Sequence, residues 1–146
     1  MAVIYGALPY RVSNPAGTVN YQKDAFGKNS EVFTANDIVG LASGDLLVQT
    51  TVSVGVVTRT QTMTSDNVTV AKVAPLYIPI YVNDLFLMGC NSDLTGNATD
   101  AGTYYKITGA TGAQQVDVAA GAQTTTMRSV EIVQVDPFNI GGTGAG

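Results

Sequence analysis

The chain has 146 residues, enough for one compact domain, and contains no histidine, no tryptophan and a single cysteine, Cys90. Those absences remove Ser-His-Asp and Cys-His nucleophile arrangements, two-histidine metal sites and cysteine zinc clusters from what one chain can build, which moves the expectation from enzyme to structural or binding protein. The net charge is −4 and the seven basic residues are scattered singly, so no basic stripe for nucleic acid is expected.

Charged residues make up 12% of the chain against 45% hydrophobic, and the remainder is rich in threonine, serine, asparagine and glycine. Such a composition favours strands over salt-bridged helices. The opening MAVIYGALPYR has no charged start, long apolar run or small-residue cleavage site, so synthesis in a cytoplasm is expected. No apolar run approaches the ~20 residues of a spanning helix, and no membrane partner is expected.

Residues 1–30 contain Pro9, Pro15, three glycines and an NPAG turn at 14–17, with no sustained apolar period. They predict an extended arm that finds its partners elsewhere. Tyr5, Leu8, Tyr10, Tyr21 and Phe26 are spaced too irregularly for a helix face and are too apolar for a solvated tail, so they are the candidate partner-docking residues.

From Glu31 short β-rich segments alternate with turn signals, as in sandwiches and barrels. In NDIVGLASGDLLV at 36–48, Ser43-Gly44-Asp45 separates two apolar stretches and predicts a hairpin; a short helix over 36–42 is the rival reading, weakened by Gly40 and Gly44. The run 52–57 alternates through Val54 and Val56, and threonines at 58, 60, 62 and 64 predict one face of a strand. Asp66-Asn67 supplies a turn and 68–73 alternates again. Pro79 within LYIPIYV at 76–82 predicts an edge strand or a bulge, because proline cannot donate to a ladder.

Residues 91–102 lack a strand period and predict a long loop. Strands are expected over 104–108, 115–119 and 128–136, the last alternating through Val130, Ile132 and Val135 with a slip at Val133, and a turn over 109–112. The glycine-rich residues 139–146 predict a flexible tail. The expected fold is all-β: a small β-barrel, β-tulip or sandwich over residues 31–138, with the arm before it and the tail after it.

Cys90 follows the apolar LFLMG and is expected to be a buried thiol acting as a small hydrophobe. Asn91, Asp93, Asn97 and Asp100 form an oxygen-rich loop, but their spacing fails the EF-hand pattern and they are also what a long turn needs. The glycine-rich tail lacks the lysine and the strand-to-helix context of a phosphate loop. No catalytic residue, cofactor or metal site is therefore expected.

In order, VF at 32–33, NDIV at 36–39, LASGDLLV at 41–48 and VGVV at 54–57 resemble the pattern of tailed-phage capsid cement, or decoration, proteins. The run APLYIPIYVNDLFLM at 74–88, the 93–102 loop, YYKI at 104–107 and VEIVQVDP at 130–137 extend the likeness over residues 31–138. The resemblance implies a small trimeric β-domain on the exterior of an assembled capsid. There it would stabilise the lattice of the major capsid protein, with no catalytic residues and an N-terminal arm that adds a strand to that protein. A tail or neck β-barrel subunit and a carbohydrate- or calcium-binding β-module are the alternatives.

Overall fold

A computed structural model describes residues 4–11, 26–48, 53–67, 75–81, 83–123 and 130–135. The described chain is all-β, with antiparallel pairing between its strands. Its centre is a sheet of four strands: β3 (Ile38–Ala42), β4 (Asp45–Val48), β5 (Gly55–Val57) and β7 (Tyr77–Pro79), in the order β4-β3-β5-β7. The described residues also form four two-stranded ribbons: β1 (Leu8–Arg11) with β8 (Leu85–Leu87), β2 (Val32–Phe33) with β6 (Gln61–Thr62), β9 (Tyr104–Tyr105) with β12 (Val130–Glu131), and β10 (Ile107–Thr108) with β11 (Gln115–Val116).

The hairpin read from Ser43-Gly44-Asp45 is present and the rival helix is not. Ala42 faces Asp45, and Ser43 and Gly44 both have positive φ, 53° and 89°. Two left-handed residues in succession give the turn whose twist matches that of the flanking strands. Among the described residues Pro79 lies on an outer strand of its sheet, where its missing N–H is tolerated. Leu76 C=O accepts the Thr58 N–H and Ile80 donates its N–H to Val54 O, the residues flanking β5, so the backbones of the alternating Tyr77 and Pro79 face away from β5. Gly55 lets the strands close up: a Cβ there would overlap the Tyr77 ring and come within 2.7 Å of Ile78 O.

Several sequence expectations need correction. The threonine-lined strand over 58–64 shrinks to Gln61–Thr62, because the chain bends at Thr58–Arg59 and Thr60 Oγ1 turns to accept the Ala35 N–H at 3.2 Å. The segment 104–108 divides at Lys106, sending β9 to β12 and β10 to β11. The slip at Val133 is a change of face, since Ile132 and Val135 are buried while Val133 is 58% exposed. The loop 91–102 holds one helical turn, α1 (Asn97–Asp100). Among the described residues the sheets do not close into a barrel. Most of these strands are two to four residues long, too short to sustain the tilt and stagger that closure requires.

The expectation of a separate arm does not hold for its described parts. Ala7 is 1% exposed and donates its N–H to Asn36 O, Gly6 N–H bonds to Gln114 O, and β1 pairs with β8. Gly6 has φ 74°, and a Cβ there would sit 2.5 Å from Asn36 O, so this residue sets how closely the segment lies on the domain. Residues 26–30 are tied in as well, with Leu46 N–H bonding to Phe26 O and Lys28 N–H to Leu46 O. Strand 68–73 and the tail lie outside the described residues.

Three apolar clusters form the interior. The first gathers Phe33, Val39, Leu46, Val57, Met63 and Tyr77; the second Cys90, Leu94, Tyr105, Val116, Ile132 and Val135; the third, which shares Met88 and Val130 with the second as packing neighbours, Ala7, Ile38, Val56 and Ile107. Phe33 is fully buried, whereas its neighbour Val32 is 41% exposed. Phe33→Ala is expected to lower unfolding free energy in urea by about 3–5 kcal/mol, and Val32→Ala by less than about 1 kcal/mol. Similar losses for the two would contradict this placement of the core.

Candidate functional site

The expected docking residues occupy different settings. Tyr10 is 80% exposed on β1, Tyr5 and Phe26 are about half exposed at 47% and 43%, and Leu8 is half-buried opposite Leu87. Tyr21 lies outside the described residues. The aromatic rings are thus presented from a segment whose backbone is held by the domain.

The backbone carbonyls that hold that segment, those of Gln114 and Asn36, lie beside a pair of buried polar side chains that the sequence does not mark out. Asp37 and Gln114 are both inaccessible to solvent. Asp37 Oδ2 accepts the Thr34 N–H at 2.7 Å, and Oδ1 accepts the Gly112 N–H at 2.8 Å. Gln114 Oε1 accepts the Ile38 N–H at 2.6 Å and its Nε2 donates to Ile38 O at 3.2 Å. The Gln114 primary amide therefore stands in for a peptide group alongside β3 at Ile38, just past the point where β4 ends at Val48. Thr111 Oγ1 adds a bond to Val32 O at 2.7 Å. The hairpin β10–β11 is so fastened to the first half of the chain, and Gln114 O in turn receives Gly6.

Burial pushes the Asp37 carboxyl above its ordinary pKa, against the lowering effect of the two backbone N–H groups, with the Glu31 charge adding a smaller rise. Removing an ionised carboxylate from water is costly even when it is hydrogen-bonded.

Cys90 is buried, as its apolar setting implied, and burial, with the Asp100 carboxylate second, pushes its thiol up to about 11. It is therefore held as the protonated thiol at neutral pH, not as the nucleophilic thiolate. The same surroundings raise the Tyr105 phenol, through burial first and then Asp100 and Cys90.

The oxygen-rich loop spends its groups locally. Asn91 donates from Nδ2 to Asp117 Oδ1 at 2.7 Å and accepts the Ala119 N–H on Oδ1, while Asp100 Oδ2 accepts the N–H groups of Thr95 and Gly96 at 2.6 and 2.8 Å. Asp93 is exposed. Among the described residues, no three histidine, cysteine, aspartate or glutamate side chains are gathered as a metal site would need.

Beside the second and third clusters lies an apolar groove of about 820 Å³. Its floor includes Ala7, Ile38, Ile107 and Val116, and two stretches of consecutive residues, 83–88 and 130–135, run along it. Tyr10, Leu87 and Val133, all exposed, belong to the same lining. Among the described residues no helix is long and apolar enough to cross a membrane. Compared with known protein families, curated proteins and solved structures, the chain matches none.

The only sequence signal for the Asp37 contacts is Thr34 three residues before it, a spacing at which a side-chain oxygen reaches back to a backbone N–H. Gln114 had none. Asn in place of Asp37 keeps one acceptor and turns an NH₂ toward a backbone N–H, so Asp37→Asn is expected to cost about 1–3 kcal/mol. The raised pKa means that the folded chain binds the Asp37 proton more tightly than the unfolded chain does. Its contribution to stability is therefore fully present below the unfolded pKa of about 3.9, and is lost as pH rises through the folded value. Urea unfolding of both proteins from about pH 4 to 7 is expected to show the wild-type advantage narrowing as pH rises. A widening advantage would contradict the sign.

Proposed function

We propose that this chain is a structural virion protein that binds the exterior of an assembled phage capsid, as a homotrimer, and stabilises the lattice of the major capsid protein. The observation that carries the reading is Tyr10, 80% exposed on a strand pinned to the domain by β8. An aromatic side chain presented from a fixed backbone loses little entropy on docking and is the residue type that most often anchors an interface. Tyr5, Phe26, Leu87 and Val133 add further exposed apolar surface. A stable contact needs about 1,200–2,000 Å², which these residues would supply together with backbone and polar groups around them.

The likeness in segment order to capsid cement proteins supplies the lattice as partner. The chemistry inside the domain is in keeping with contact as its work. Asp37 and Asp100 are spent on backbone N–H groups, and Cys90 is held as a thiol. No cofactor, metal, nucleic acid or membrane enters this reading.

Electron microscopy of the source particle tests it. Density matching 15.1 kDa subunits is expected on the outer surface at local threefold positions, with Tyr5 and Tyr10 against the capsid protein. A resolved exterior with no density of this size would sink the proposal.

A further inference from the structure

We propose that β1 completes the second of two copies of one strand–turn–strand unit, and that Asp84 positions β8, and with it the bulge that presents Tyr10, as Asp37 positions β3. The proposal rests on the capsid reading only in taking Tyr10 to be a contact residue.

The two copies agree in sequence and in backbone. FTANDIVGLASGDL at 33–46 and IYVNDLFLMGCNSDL at 80–94 each pass from an apolar residue through Asn-Asp to two apolar residues and close on Asp-Leu, the second with one more residue before that Asp. Asn36 and Asn83 are both left-handed, with φ 75° and 73°. Thr34 donates its N–H to Asp37 Oδ2 at 2.7 Å and accepts the Asp37 N–H at 2.9 Å. Tyr81 donates to Asp84 Oδ2 at 2.8 Å and accepts the Asp84 N–H at 3.1 Å. A strand ends before each turn, β2 at Phe33 and β7 at Pro79, and another starts straight after it, β3 at Ile38 and β8 at Leu85. The closing leucines, Leu46 and Leu94, are both buried. One turn of this kind is common. Agreement in φ, bonds, flanking strands and buried leucine marks a repeated unit.

The copies differ in what lies beside the strand after the turn. In the first, the chain reverses at Ser43-Gly44 and β4 returns along β3, with Leu47 opposite Gly40 and Val48 opposite Val39. In the second, the chain runs past Leu94 into α1, and Leu8 and Pro9 of β1 stand opposite Leu87 and Phe86, the counterparts of Gly40 and Val39. The edge used is the same. Val39 C=O accepts the Val54 N–H on the β5 side, which leaves Gly40 to face β4. Pro9 has no N–H to exchange with Phe86, so the hydrogen-bonded pair is Leu8 with Leu87. Strand β1 thus brings from a distant part of the sequence what β4 supplies from two residues away.

The bulge sits where the first copy also breaks its pairing. Ile38 lies beyond the end of β4, and the Gln114 amide takes its backbone groups. Its counterpart Leu85 stands opposite Arg11, with the register shifted after Pro9, so that Tyr10 is the extra residue and is 80% exposed. A bulge re-aims the side chain it carries. Asp84 fixes how β8 leaves the turn and so where that bulge lies; it acts on Tyr10 through β8 and is a positioning residue.

Disulfide closure in the full-length chain tests this without any capsid, so its failure is distinguishable from failure of the capsid reading. Opposed residues of a hydrogen-bonded pair have Cα atoms about 5.5 Å apart, a span a disulfide bridges. Leu8→Cys with Leu87→Cys is expected to close within one chain, and Cys90, being buried, stays out of the reaction. Asp84→Ala should slow closure about tenfold. Asp84→Asn should restore it to within about threefold, because an amide oxygen can hold this turn, as Asn67 Oδ1 does for the Thr64 N–H at 2.7 Å. A control pair across the first hairpin, Ala42→Cys with Asp45→Cys, both exposed, should close at one rate in all backgrounds. Should Asp84→Ala misfold, Asn83→Val and Asn83→Gly serve instead, since glycine accepts the positive φ and valine does not; only the valine variant should be slow. The proposal is overturned if the Leu8 and Leu87 pair closes only between chains or not at all, or if neither Asp84→Ala nor Asn83→Val slows it. It is equally overturned if Asp84→Asn is as slow as Asp84→Ala, or if the control pair slows alongside.

Discussion

The constraint on which the rest of this structure depends is the pair of polar contacts between the turn at 34–38 and the hairpin turn at 109–114. Its four side-chain bonds join groups 75 and 76 positions apart, apart from the local Thr34 contact that shapes the turn. Among the described residues most of the short strands are paired as ribbons, and these contacts, with the Thr111–Val32 bond and the third cluster, hold the halves in register. Each bond contributes about 1 kcal/mol net, but losing a partner strands a buried N–H or C=O at greater cost, so the contacts act as a specification of geometry.

Consequences for function follow from position. Gln114 fixes Ile38 through its side chain and Gly6 through its carbonyl, and Ala7 beside Gly6 is held by Asn36. Ala7, Ile38 and Ile107 form the third cluster and part of the groove floor. The same arrangement that pins the N-terminal segment, and with it Tyr10, therefore sets the floor of the groove. Presentation of the aromatic rings and the shape of the groove are two outcomes of one arrangement.

Local signals in the sequence were read well where the physics is local. The Ser43-Gly44 turn, the edge position of Pro79, the burial of Cys90 and the break in alternation at Val133 each depend on a few neighbouring residues and are all present. The threonine run at 58–64 misled because period two reports a face, not whether the backbone stays straight, and the chain bends at Thr58–Arg59. Closure into a barrel, one of the tertiary forms expected beside a tulip or a sandwich, is not seen among the described residues, whose strands are short. Gln114 and the groove were not legible at all: one acts on a residue 76 positions away, and the other arises where 83–88 meets 130–135. The N-terminal segment read as an arm because its proline and glycine content hides the backbone bonds that Gly6 and Ala7 make to distant partners.

Native-state hydrogen exchange at Thr34, Ile38 and Gly112, whose N–H groups end on Asp37 and Gln114, tests the joining of the two halves most directly. If these contacts make the halves one cooperative unit, the three amides will share a single opening free energy, equal to that of the Val57 N–H in the first cluster. Exchange of Gly112 through a separate, lower-energy opening while Val57 stays protected would contradict the account.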